Sequence, residues 1–178
     1  MGLKDYIDDH IRDSQPSSIS ALAPYSAIIL SIVLVVLFLI RFYILRSFLL
    51  PRLYGAKYTE MDYVNRRSFL NNHIAGATKL LLLIIGIYLL IGMDFGGAHF
   101  HSPFVHGSRV TMGDLLIIAS QMLTGMFIFE LIYHAKIPPV SVAHHIGGIM
   151  VGQVAVTMSV KGDQVSSIEF MLCAVWGK

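Results

Sequence analysis

The chain has 178 residues, of which 55% are apolar and only 13% charged, with a formal net charge of +2. A soluble globular chain carries charge on about a quarter of its residues, so a mean hydropathy of +0.68 argues strongly against a soluble protein. It also excludes disordered, collagen-like and disulfide-scaffold classes. The small net charge, with no basic stripe interleaved with aromatics, argues against a nucleic-acid partner.

Residues 1–23 are polar. Asp5, Asp8, Asp9 and Asp13 outnumber Lys4 and Arg12, the reverse of a signal peptide's basic start, so the segment reads as a polar tail. Residues 24–50 form the first expected spanning helix. Pro24 suits a first helical turn, where its missing N–H costs nothing, and Arg41 and Arg46 mark the far end. The second stretch covers 69–92 around the run LLLLIIGIYLLIG at 80–92, with Lys79 long enough to reach the interface. The third, 115–133, holds one charge, Glu130. The fourth, 140–160, holds no charge but contains His144, His145 and Gln153.

A fifth apolar stretch begins near Val165 and stops at Trp176, short of the roughly 20 residues a span needs. It reads either as a segment lying on the membrane surface or, preferably, as a span cut short. Cys173 falls within it and has no partner for a disulfide. In lipid, runs this long satisfy their backbone only as helices, and the period-two alternation of a membrane barrel is absent. The expected fold is an all-α multi-span transmembrane bundle, with four complete spans and a truncated fifth. Arg41, Arg46, Arg52, Lys57, Arg66 and Arg67 cluster around the first loop, whereas 93–113 holds only Arg109. The positive-inside rule therefore puts the first loop, about 51–67, in the cytoplasm. These cations read as topology determinants first and as contacts for acidic lipids second.

Ionisable residues at membrane depth are costly, and each is a functional candidate. His144 and His145 point about 100° apart on a helix. One can face a cavity as base or nucleophile while the other packs, or both can serve as interface histidines beside the small residues Gly147, Gly148 and Gly152. Glu130 and His134, four apart, share a helix face with Tyr133 at its border, and a carboxylate there can fix a histidine tautomer. The competing reading is an interfacial helix end before Pro138 and Pro139. Asn71, Asn72 and His73 either line a polar vestibule or cap a helix at the interface. His99, His101 and His106 occupy a Gly-rich loop and read as exposed rather than as metal ligands. The dense histidine boxes of membrane di-iron oxygenases are missing.

The stretch FELIYHAKIPPVSVAHHIGGIMVGQ at 129–153, with RRSFLNNHIAGATKLLLL at 66–83, resembles the TLC domain shared by ceramide synthases and several lipid-homeostasis proteins. The resemblance covers 60–178, with the first helix preceding it. It implies a multi-helix bundle of the endoplasmic reticulum acting in sphingolipid or membrane-lipid metabolism. In the ceramide synthase branch that means transfer of an acyl group from acyl-CoA to a sphingoid base. It implies that His144 and His145 belong to the catalytic centre; from the residue pattern, Glu130 would act with them by orienting or positioning, and Tyr133, His134 and Asn72 are the candidate substrate contacts. Acyl-CoA would be a co-substrate, with no bound cofactor and no metal. Partners would be membrane lipids and further copies or other chains in the membrane. The other branch implies a non-enzymatic lipid-binding or regulatory bundle. Ceramide synthases commonly carry Thr where this chain has Gly148.

Overall fold

Residues 20–160 are described by a computed structural model. The fifth apolar stretch, Cys173 and most of the polar tail lie outside them. Every described element of regular structure is helical. Four helices are long and apolar enough to cross a bilayer: α1, Ala23–Tyr54; α2, Tyr63–Leu90, prolonged through Met93; α3, Met112–Tyr133; and α4, Pro139–Val160. The two of 22 residues measure about 33 Å at 1.5 Å per residue, enough for the hydrocarbon core. Ile28, Ile32, Leu80, Ile84, Ile146 and Met150 stand exposed on their outer faces, where lipid solvates them. The chain is an all-α membrane protein with four spans among its described residues.

α1 opens with a tight turn, Ala23–Tyr25, that contains Pro24. It is α-helical over Ser26–Leu39, widens to a π-helix over Ile40–Leu49, and closes as an α-turn, Leu50–Tyr54. Pro51 lies in that last turn and has no N–H, and a proline ring presses on the carbonyl four residues back. The widened coil just before it relieves this contact. The Ser47 hydroxyl donates to the Phe42 carbonyl five residues back, at 2.8 Å. The helix thus outruns the expected end at 50 and stops at Gly55, whose φ of +53° suits glycine alone. A short helical turn, Ala56–Thr59, leads to α2. That helix starts six residues before the expected 69, because Asp62 caps it by accepting from the Val64 N–H at 3.2 Å.

α3 is the hub and packs against α1, α2 and α4. Small residues permit this. A methyl on Gly125 would lie 2.7 Å from Cγ1 of Val33 on α1, so only glycine lets these two backbones approach so closely. Leu37, Leu45, Leu70, Ile74 and Phe129 knit α1, α2 and α3 at one end, and Ala23, Ile117, Ala155 and Val156 join α1, α3 and α4 at the other.

The start of α3 is fastened twice. Thr111 and Asp114 form a reciprocal capping box, and the Ser20 hydroxyl donates to Oδ1 of Asp114 at 2.5 Å. Asp114→Ala removes the Ser20 bond and the carboxylate half of the capping box, leaving only the Thr111 hydroxyl to accept from the N–H of residue 114. It should cost about 1–2 kcal/mol, seen as a Tm lower by about 3–6 °C in detergent. An unchanged Tm would mean that the cap carries no weight.

Candidate functional site

The site lies where α3 meets α4, with α2 alongside. On α4, His145, Gly148, Gly152, Val156 and Ser159 recur at three- and four-residue spacings and so form one stripe. Gly152, Val156 and Ser159 are buried, and Gly148 lies against Phe127 of α3. His145 therefore points inward, whereas His144, one residue round the helix, is exposed. Gly147 faces open space.

Nε2 of His145 sits 2.6 Å from Oε2 of Glu130 on α3, and their side chains are 14% and 11% exposed. A carboxylate only accepts, so Nε2 carries the hydrogen and donates it, and in the neutral ring Nδ1 keeps a lone pair. That Nδ1 is buried and has no hydrogen-bond partner. Glu130 thus fixes the tautomer that leaves Nδ1 as the ring's acceptor. Nζ of Lys79 on α2 lies 3.9 Å from the other carboxylate oxygen, with its side chain 60% exposed. This contact is long, and it is the weaker of the two that Glu130 makes.

The Phe127 ring stacks on the His145 ring, with centroids 4.9 Å apart and planes 29° apart. A methyl on Gly148 would stand 2.6 Å from that phenyl ring. Glycine, Phe127 and His145 therefore form a tight wedge that sets the imidazole plane. His144 meets only the edge of Phe127, at 5.9 Å. Further along the seam, the Gln153 amide donates to Oε1 of Gln121 at 3.2 Å and to Oγ1 of Thr124 at 3.3 Å.

The expected residues are thus only partly brought together. Glu130 and His145 meet, with His144 beside them. Glu130 and His134 do not share a face, because α3 ends at Tyr133. His134 is extended (φ −73°, ψ 131°) on the way to the two prolines, and its Nδ1 accepts from the Lys136 N–H at 3.4 Å. Tyr133 packs its ring over the Arg41 guanidinium, 4.5 Å away. Asn72 faces outward, whereas its neighbour Asn71 is fully buried with both amide atoms unpartnered. His73 is engaged by the Phe69 carbonyl at 2.9 Å and the Tyr54 hydroxyl at 3.1 Å. His99, His101 and His106 are exposed. Gln121, Thr124 and Phe127 escaped the sequence reading as parts of a site. Amides at membrane depth are costly too, and that signal marks Gln121.

Fold and site define a helical membrane protein with a carboxylate–imidazole pair clasped between two of its spans. Compared with known protein families, curated proteins and solved structures, the chain matches none.

Proposed function

We propose that this chain is the membrane core of a TLC-type lipid-metabolism protein, and that it catalyses acyl-CoA-dependent N-acylation of a sphingoid base. The observation that carries the reading is the 2.6 Å contact between Glu130 and His145. It is an oriented base with a free ring nitrogen, held in a water-poor seam. In the reaction, the amine nitrogen attacks the thioester carbonyl and a C–N bond forms. The displaced N–H proton passes to Nδ1 of His145 while Glu130 steadies the imidazolium. The C–S bond then breaks, and the CoA thiolate takes that proton. The products are an amide and free CoA thiol. Exclusion of water keeps hydrolysis of the thioester from competing. In this reading the protein resides in the endoplasmic reticulum with the first loop in the cytoplasm, and His144 flanks the reacting base.

A second reading is favoured by the exposure of His144 beside the nearly buried His145 ring. The same pair would then hold a lipid headgroup without chemistry, as in a regulatory bundle. Expressing the gene's full product in cells lacking their own ceramide synthases separates the two. The first reading expects ceramide, measured by mass spectrometry, that disappears in the His144→Ala/His145→Ala double variant at equal membrane abundance. Absence of ceramide from well-expressed wild type would overturn the first reading in favour of the second.

A further inference from the structure

Four guanidinium groups gather at the bundle end that carries connections 55–62 and 134–138. Arg41 and Arg46 come from the π-helical part of α1, and Arg66 and Arg67 from the first turns of α2. With Leu70 and Tyr133 they line a cavity of about 210 Å³. None of its lining residues is acidic, and among the described residues no carboxylate comes within 4.0 Å of these four arginines.

Two of the four have distinct settings. Arg67 is committed to structure: its Nε and Nη2 donate to the Tyr133 and Ile132 carbonyls, at 2.7 and 2.9 Å, at the negative end of α3. Arg41 is 5% exposed, and its Nη1 has no hydrogen-bond partner. Stacking against Tyr133, 4.5 Å away, is its main compensation. A buried guanidinium with an unmet donor, beside three more cations, is costly unless an anion completes it. The planar fork of arginine matches the oxygens of a phosphate in two-point contacts. Topology signalling requires arginines near the span ends, but it does not require one buried in a cavity with its fork unfilled.

We propose that this cavity binds a phosphate group, carried on a membrane lipid headgroup or presented free from solution. Arg41 is the buried anchor and Arg46 and Arg66 close the cradle. The site is separate from the Glu130–His145 pair and does not depend on the acyl-transfer reading.

The test uses the full chain in phosphatidylcholine nanodiscs doped with phosphatidic acid, and calorimetric titration of the same protein with inorganic phosphate. The first arm reads phosphatidic acid retained per protein above its bulk share. Arg46→Gln/Arg66→Gln leaves Arg41 and the Arg67 cap in place, and Arg41→Lys keeps the charge but removes the fork. Each should weaken binding by about tenfold or more, since a hydrogen bond between charged partners is worth about 1.5–3 kcal/mol. Retention of the lipid with that loss identifies a lipid phosphate as the source. Saturable phosphate binding with the same loss, and no lipid enrichment, identifies a free phosphate. Wild type that binds neither, or binding that both variants leave unchanged, overturns the proposal.

Discussion

His145→Ala should lower ceramide formation by about 10²–10⁴-fold, the usual contribution of a positioned general base, while His144→Ala should stay within about tenfold of wild type, because His145 alone meets a carboxylate. Glu130→Gln should fall between them. Its amide oxygen can still accept from Nε2, but the charge that stabilises the imidazolium is gone. Each variant is compared by ceramide produced per unit of membrane protein. Abundance must be read alongside, because removing His145 leaves a nearly buried carboxylate without its close donor, and a buried acceptor left unmet costs about 1–3 kcal/mol or more. His145→Gln keeps a donor near Glu130 and separates lost chemistry from lost folding. If His144→Ala abolished product while His145→Ala did not, the assignment of roles within the pair would fail.

Gly148→Ala should destabilise the bundle by about 1–3 kcal/mol, the cost of overpacking a filled site. The added methyl would meet the Phe127 ring at 2.6 Å, and that ring is 9% exposed and stacked against His145. Moving the ring tilts the imidazole, so activity should drop together with the thermal midpoint in detergent. Gly147→Ala is the internal control. It meets nothing within 4 Å, and a helical Gly-to-Ala change is favourable by about 1 kcal/mol or less. Equal effects at the two positions would show that helix propensity matters here and the wedge does not.

Much of the architecture was legible in the sequence. Length and hydropathy are properties of a contiguous segment, and lipid leaves helices as the only outcome. The departures lie at ends and bends. The cap at Asp62 advanced α2 into a polar stretch, and Pro51 widened the helix before it instead of ending it. The site was legible as residue types, because charge and imidazole at membrane depth stand out. Its pairing was not. Spacing of four suggested Glu130 with His134, but local spacing applies only while the helix lasts, and α3 stops at Tyr133. The observed partner comes from the next helix, at a register fixed by Gly148 and Gly152 against α3. Likewise, the arginines read singly as loop charges; their convergence depends on how α1 crosses the start of α2.

The hub position of α3 also sets an order of events during synthesis. α1 packs chiefly on α3 and meets α2 mainly through its π-helical part, and Ser20 is joined to a residue made 94 positions later. At about 5–20 residues per second, roughly 5–20 s separate the appearance of those two partners. From the end of the second span at Met93 to the end of the third at Tyr133, about 2–8 s at this rate, the first two spans reside in the bilayer joined mainly through the π-helical part of α1, without the helix that both pack on. Arrival of the third span is then the step that condenses the protein. A defect in α3 would strand two fully inserted helices that no earlier checkpoint could have distinguished from sound ones.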